Sequence, residues 1–348
     1  MFESKPYVEK IDKVNLARER LKKRVPSAIT VKIPFNDLQA WAEFKSWRFV
    51  YDRQYLAEMQ GLYNAVMPIE PLNDDKYPVI LKPAINLYGM GHCSHLIMNK
   101  NDFHEKWGHT GFWSEYLRGP HYSYDLVLVN GKISWWNCFQ GHYMGSNNMD
   151  DINNSNSNSK NLNSSMHGVF NSWENLGQRM LPNSIFALVK KIRCKYRHKR
   201  QGPVPNCGFY GCINIECIGD KIIEAHLRMG DIDQFEDDNL MDAIVRVYCR
   251  RGWVLTRTYK PCRSVHMFPI WTTRPLKLNG NHNNRRLRHR IIRICNRYDI
   301  FRYMFESDGG ATPQKGLIRS IMLTGLDYDK GLKAQVEIYN LLKRYNRL

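Results

Sequence analysis

An α+β chain built around antiparallel hairpins is what this sequence predicts, and three observations lead there. Tyr122 to Val129 alternates cleanly and runs into Asn130-Gly131, the favoured two-residue hairpin turn, with Lys132 to Trp136 returning. Cys212 to Ile218 and Ile222 to Leu227 make a second pair of short, isoleucine-rich strands. Asp237 to Arg250 opens with acidic residues and ends on Arg250, Arg251 and Gly252, as the helix dipole and C-terminal capping favour. At 348 residues the chain can bury a large core split into two or three lobes.

The other elements follow in chain order. Met1 to Arg24 reads as a basic, partly helical lead-in. Val50 to Tyr63 reads as a short amphipathic helix, after which Pro68 and Pro71 break the chain. Tyr77-Pro78-Val79-Ile80-Leu81-Lys82-Pro83 is a short buried strand ended by proline, and a loop containing Gly89 and Gly91 follows it. In the first hairpin, Tyr122, Tyr124, Leu126 and Leu128 share one face and His121, Ser123, Asp125 and Val127 the other. Ser146 to Ser165 is Asn/Ser-rich, cannot offset its own ordering entropy, and is expected as a mobile insertion. Glu174 to Tyr196 has helical periodicity interrupted at Pro182. Strands at Val254 to Tyr259 and Ile318 to Leu323 and a helix from Asp329 to Tyr345 complete the reading.

Composition narrows the function classes. No apolar run reaches bilayer-spanning length, and Met1-Phe2-Glu3-Ser4-Lys5 has no apolar signal core, so a cytoplasmic location is expected. The nine cysteines are scattered, and Cys207, Cys212 and Cys217 match no common zinc spacing; free thiols in a reducing compartment are expected. His92, Cys93 and His95 lie close in sequence but lack a fourth ligand nearby. The net charge of +18 concentrates at Lys190 to Arg200 and Arg285 to Arg297, runs that suit an acidic protein, polyphosphate or nucleic acid. Either run alone also reads as a solvated basic face.

Two constellations carry chemistry. Lys82 leaves a buried strand beside the Gly89 and Gly91 loop, which can set an ammonium and backbone N–H groups around phosphate oxygens. A lysine simply snorkelling from a strand end is the competing reading. In the second hairpin, Glu224, His226 and Arg228 share a face. Glu216 joins it if the connection is Gly219-Asp220-Lys221, whereas a two-residue Gly-Asp turn points it away. Carboxylates grouped in this way repel unless a cation lies between them, and Mg²⁺ bridging ATP phosphates would serve. A surface salt-bridge ladder balanced by Arg228 is the alternative.

The order of these pieces is what resembles a known family. The Lys82 strand, the glycine loop, Phe112-Trp113-Ser114-Glu115-Tyr116-Leu117, the turn Arg118-Gly119-Pro120, the Asn-Gly hairpin and the Glu…Glu-x-His-x-Arg hairpin together resemble the ATP-grasp superfamily, from about Val50 to about Gly252. The resemblance implies an ATP-grasp fold with two α+β lobes around a nucleotide cleft. It divides the chain into a basic N-terminal segment (1–49), a first lobe (50–115), a second lobe (116–252) holding the 146–165 insertion, and a basic C-terminal α/β region (253–348).

By the same resemblance, Lys82 contacts phosphate and nucleotide, and Arg53 stands where relatives carry another phosphate-binding lysine. Gly89 and Gly91 form the flap over the phosphates. Glu115, Tyr116 and Leu117 are the linker whose backbone reads the adenine edge, and His121 is a nucleotide-contacting side chain. Glu216 and Glu224 hold the metal, and Arg228 steadies the acyl phosphate or tetrahedral intermediate. The family usually has asparagine where His226 stands, and imidazole suits Mn²⁺ better than Mg²⁺.

The implied activity is ATP-dependent ligation, in which a substrate carboxylate becomes an acyl phosphate and an amine or similar nucleophile displaces phosphate. The alternative is a catalytically degenerate scaffold acting as a basic nucleic-acid- or protein-binding protein. The basic run at Lys190 to Arg200 is expected at the cleft mouth, where it would favour an acidic acceptor.

Overall fold

The structure, a computed structural model, describes residues 5–24, 31–66, 72–87, 94–106, 111–143, 170–194, 208–230, 235, 237–254, 265–274, 276, 282–305 and 317–345. Gly89, Gly91, His92, Cys93, the 146–165 tract, residues 195–200, Cys207 and residues 255–259 lie outside the described residues.

Two antiparallel sheets organise the chain. The smaller contains β1 (Asn64–Val66), β2 (Val79–Lys82), β3 (His95–Ile97) and β4 (Phe112–Glu115) in the order β1-β4-β2-β3. Val79, Leu81, Ile97 and Trp113 are buried with Phe103 of α4 (Lys100–Lys106) as its own apolar cluster. Three helices, α1 (Lys5–Arg24), α2 (Asp37–Glu43) and α3 (Arg53–Met59), precede it in the chain.

The larger sheet holds β5 (His121–Val129), β6 (Lys132–Tyr143), β7 (Phe170–Gly177), β8 (Gly211–Ile218), β9 (Lys221–His226), β10 (His266–Thr272), β11 (Ile300–Phe305) and β12 (Ile318–Gly325). Its order is β11-β12-β10-β7-β6-β5-β8-β9. The β5–β6 turn is the expected one: Asn130 and Gly131 have φ of 52° and 68°, the left-handed pair that matches strand twist. The strands of the C-terminal third join the same sheet, where Met267 of β10 pairs with Trp173 of β7.

Strand alternation sends side chains into two helical layers. On one face Val127, Trp135, Phe139, Met267 and Met322 pack with Val14, Ala17 and Leu21 of α1 and with Leu240, Ile244 and Val245 of α6 (Asp238–Tyr248). On the other, Tyr122, Tyr124, Leu126 and Leu128 meet Ile185, Leu188 and Ile192 of α5 (Asn183–Cys194). Farther along that second face, Phe268, Ile270, Ile321 and Leu323 meet α7 (His282–Arg297) and α8 (Tyr328–Arg344). Each fully buried aliphatic contributes about 1.5–3 kcal/mol, so these layers supply most of the driving force. Among the described residues, no helix is long and apolar enough to cross a membrane.

Several local expectations are corrected. Glu174 is not helical: β7 continues to Gly177, with Glu174 opposite Gln140 of β6, and the helix begins only after Pro182. The short apolar stretch fits both periods, and sheet pairing decides between them. The expected Val50–Tyr63 helix is two pieces. Lys45–Tyr51 is a 3₁₀ segment, and α3 starts at Arg53 because the Asp52 carboxylate caps it by accepting the Tyr55 N–H at 3.0 Å. Strands β10 and β11 were not anticipated; Pro269 argues against a strand, yet β10 is laddered to β7 at Met267 alone and to β12 along its length.

Gly331, inside α8, supplies a test of how closely that layer is packed. A Cβ there would meet the Phe268 ring at 2.0–2.1 Å. Gly→Ala in a helix interior normally stabilises by about 1 kcal/mol. Gly331→Ala should instead lose roughly 1–3 kcal/mol through overpacking, read as a lower denaturation midpoint in urea.

Candidate functional site

The β8–β9 hairpin answers the question its turn length raised. The connection is the two-residue Gly219-Asp220 turn, with Ile218 opposite Lys221 and Cys217 opposite Ile222. The register then shifts, so that Glu216 faces Glu224 and Asn214 faces His226. Ile223 is the extra residue of a β-bulge, which re-aims the side chains beyond it. Two aligned rows result on the Val127 face: Asn137, Asp125, Asn214 and His226, and beside it Phe139, Ser123, Glu216 and Glu224.

The N-terminal segment folds against β9 and completes the cluster. One oxygen of buried Asp37, on α2, accepts three hydrogen bonds at 3.1 Å: from the Tyr51 hydroxyl, from His226 Nδ1 and from Arg228 Nε. The Tyr51 oxygen in turn accepts the Leu227 N–H at 3.1 Å. Arg53, at the start of α3, pairs with the second oxygen of Glu224, while His226 Nε2 lies 3.1 Å from the first. At the other end of α3, the Gln60 amide donates to the Ile222 carbonyl at 2.9 Å and accepts the Ile222 N–H at 2.7 Å. That amide substitutes for a neighbouring strand and covers part of the β9 edge.

Lys82 enters from the small sheet. The Arg53 N–H donates to the Ala84 carbonyl at 2.9 Å, two residues past Lys82, which brings both cations to one place. The Lys82 ammonium lies 5.5 Å from the centre of the Phe112 ring. Burial, with repulsion from the Arg53 guanidinium added, pushes its pKa down to about 7.

His121 is held on both sides, Nδ1 at 2.8 Å from the Tyr143 hydroxyl and Nε2 at 3.1 Å from Glu216. Phe170 and Trp173 meet its ring edge-on, at 4.8 and 5.5 Å between centroids. Burial alone would raise the Glu216 carboxyl, but His121, His226 and Arg228 together hold it at about 2. Burial likewise opposes the Asp37 charge, and Arg228 and His226 outweigh it, leaving that carboxyl well below the usual range.

Of the residues singled out from sequence, Arg53, Lys82, His121, Glu216, Glu224, His226 and Arg228 therefore form one connected cluster. Tyr116 comes near Tyr143, and Leu117 is half-buried in the linker from β4 to β5. Glu115 is turned toward β1, its carboxylate accepting the Tyr63 N–H and its own N–H reaching the Tyr63 carbonyl, both at 2.9 Å. Asp37, Tyr51 and Tyr143 were missed. The Asn36-Asp37 pair signals only a helix start, and nothing local ties it to a histidine 189 positions later.

Glu216, Glu224 and His226 can each offer one ligand atom, all within 4.8 Å of one another. A mixed carboxylate and imidazole set suits a divalent cation, so these residues fit a metal. The described part of the basic run, Lys190 to Arg193, does not stand where it was expected. Ser184 of α5 reaches the Asp220 carbonyl, but α5 packs on the Tyr122 face and its Arg193 end lies against Gly131, the far end of β5. Lys190, Lys191 and Arg193 are thus exposed on the opposite face from Glu216 and Glu224. Alternation of side chains across the sheet forces that separation.

Acid titration tests the Glu216 pairing. With an ordinary value of 4.5 and a folded value of about 2, its charge stabilises the fold fully above about pH 4.5, and this is lost as pH falls toward 2. The melting temperature of the native protein should fall across that window. In Glu216→Gln the fall should be shallower, from a lower starting value at pH 7.

No family profile and no curated protein sequence matches the chain. Solved structures do. Carboxyaminoimidazole ribonucleotide synthase from Aspergillus clavatus, complexed with ATP, is 10% identical with a TM-score of 0.53, over 86% of this chain and 75% of that one. Phosphoribosylamine–glycine ligase from Thermotoga maritima is 13% identical with a TM-score of 0.51, over 91% and 85%. L-amino acid ligase from Bacillus licheniformis is 12% identical with a TM-score of 0.50, over 94% and 82%. At such identities the likeness speaks to architecture, and these neighbours are ATP-grasp enzymes. The chain has the ATP-grasp fold.

Proposed function

We propose that this chain is an ATP-dependent ligase that activates a carboxylate as an acyl phosphate for attack by an amine or similar nucleophile. The observation that carries the reading is the meeting of two sheets at one point: Arg53 and Lys82 from the small-sheet side, Glu216, Glu224 and His226 from the large. Fixed cations opposite grouped carboxylates are what a polyphosphate bound with a divalent ion asks for. The solved ligases of this fold, one of them with ATP, support the same reading.

In this reading the small sheet with α3 is the first lobe, and the backbone of Glu115 to Leu117, which links the sheets, borders the adenine. Lys82 and Arg53 neutralise the phosphate oxygens. Glu216, Glu224 and His226 would hold Mg²⁺ or Mn²⁺, which would supply further charge neutralisation at the phosphates. A substrate carboxylate oxygen attacks the γ-phosphorus, ADP leaves, and the acyl phosphate forms. The nucleophile then bonds to the acyl carbon, and inorganic phosphate departs with the electron pair. Arg228, with Nε held by Asp37, is positioned to steady the oxyanion of that second step.

A screen for ADP release with amino acids, small carboxylates and acidic peptides tests this directly. Lys82→Ala should lower kcat/KM for ATP by about 100-fold or more. Because the Lys82 ammonium is pushed down to about 7, ATP binding at pH 8 should draw in a proton. Calorimetry in buffers of different ionisation enthalpy should show that uptake, and Lys82→Arg should abolish it, since arginine stays charged. Equal uptake in the two proteins would remove Lys82 from the phosphate site.

A second reading rests on the back face. Lys190, Lys191 and Arg193 of α5 and Arg285, Arg286, Arg290 and Arg293 of α7 are exposed on the layer away from the carboxylates. We propose nucleic acid as the partner of that layer, independent of the cleft. Reversing Lys190, Lys191 and Arg193 to glutamate should weaken binding of a DNA fragment and flatten its salt dependence. The KM for ATP should not move, and a shift in it would place the run beside the cleft after all.

A further inference from the structure

We infer that Asp37 is a positioning residue for a divalent cation held by Glu216, Glu224 and His226, one that makes His226 a nitrogen ligand and biases the site toward Mn²⁺ over Mg²⁺. This rests on the metal-dependent reading of the site given above.

An ionised carboxylate only accepts, so each of the three groups around the Asp37 oxygen must donate to it. Tyr51 takes the Leu227 N–H on its oxygen and has its own proton free for Asp37. Arg228 donates through Nε. His226 must therefore carry its proton on Nδ1. A cation bound at Nε2 would take the place of any proton there, so the ring would meet it as the Nδ1–H tautomer, with Nε2 3.1 Å from Glu224 and Glu216 in reach. A lone pair opposite a carboxylate oxygen is repulsive unless a proton or a cation lies between them. The same separation suits two atoms bound at right angles to one ion through bonds of about 2.1 Å.

The surroundings leave the ring little freedom. His226 is buried, its Nδ1 is held by Asp37, and the Tyr51 ring lies edge-on to it at 6.0 Å. Arg53 engages the other oxygen of Glu224, so the oxygen nearer His226 remains directed at the imidazole. A carboxylate that hydrogen-bonds the far nitrogen of a ligating histidine sets its orientation and raises its basicity. A nitrogen donor in an otherwise oxygen set favours Mn²⁺, because Mg²⁺ prefers all-oxygen coordination. Asp37 belongs to α2, outside both sheets, so the N-terminal segment takes part in choosing the ion.

Pulsed EPR on full-length protein with Mn²⁺ alone, and with Mn²⁺ and ATP, gives the direct readout. The native protein should show a directly bound nitrogen, its signature changed by ¹⁵N-histidine labelling. The remote nitrogen should have a quadrupole coupling characteristic of a proton shared with a carboxylate. Titrations should give tighter binding of Mn²⁺ than of Mg²⁺. Asp37→Asn should weaken Mn²⁺ by about 10–100-fold and alter the remote-nitrogen coupling. Asp37→Glu should recover part of the affinity, and His226→Asn should remove the nitrogen signal and shift preference toward Mg²⁺. If Asp37→Asn does not fold, the remote-nitrogen coupling of the native protein still decides. Mn²⁺ bound through oxygen alone, or an unchanged Mn²⁺-to-Mg²⁺ ratio in Asp37→Asn, would overturn the inference while leaving the ligase reading intact. Absence of any divalent-ion binding, with and without ATP, would overturn both.

Discussion

Charge taken out of water has to be matched, and that requirement shapes this protein around the β9 edge. Asp37 and Glu224 are buried and the Glu216 side chain is only 25% exposed, with Arg53 on Glu224 and Arg228 on Asp37 as fixed counter-charges. A buried ion stripped of its partner costs several kcal/mol, so none of these groups can move independently. Asp37 fixes where α2 lies and Arg53 where α3 begins. Through the bond from Arg53 to Ala84, the end of β2 is set as well. The small sheet keeps an apolar cluster distinct from those of the large sheet. Leu56 and Met59 of α3, with Leu87, pack on the large-sheet cluster, and polar bonds and a short linker complete the junction.

Much of the hairpin architecture was legible because its signals are local. Asn130-Gly131 dictates a turn whatever surrounds it, and the alternation from His121 to Val127 assigned the polar face that became the site. The shared face of Glu224, His226 and Arg228 was legible for the same reason, whereas Glu216 hung on the turn length and joins them only through the bulge at Ile223. What escaped depends on partners distant in sequence. Asp37 looks like the first residue of a small helix until His226 and Arg228 are folded onto it. Glu174 fits a helical period, and only β6 beside it makes it a strand. Lys190 to Arg193 were expected on the other side because sequence order says nothing about which face of a sheet receives a helix.

The bulge at Ile223 shows how narrow the margin is between a site and a surface. A hairpin closed by Gly219-Asp220 with regular pairing throughout would have turned Glu224 and His226 into the apolar layer beneath α5, since β5 already holds Glu216 opposite Ser123. One unpaired residue restores them to the polar face, with Glu224 opposite Glu216. Since the period of a strand is two, no smaller change could achieve this.

The order of strands in the large sheet also has a temporal meaning. β12, which follows both in the chain, lies between β10 and β11, and among the described residues β10 is the only link from these strands to β7. Gln335 of α8 then ties the Asn171 and Pro269 carbonyls together across that junction, at 2.6 and 2.9 Å. During synthesis the β5–β6 and β8–β9 hairpins can form as they leave the ribosome, yet one side of β7 stays unpaired until β10 emerges. The sheet is not complete until α8 is out. Contacts so far apart in sequence make folding slow, and they leave the nascent chain with an open strand edge that invites chaperones or its own neighbours.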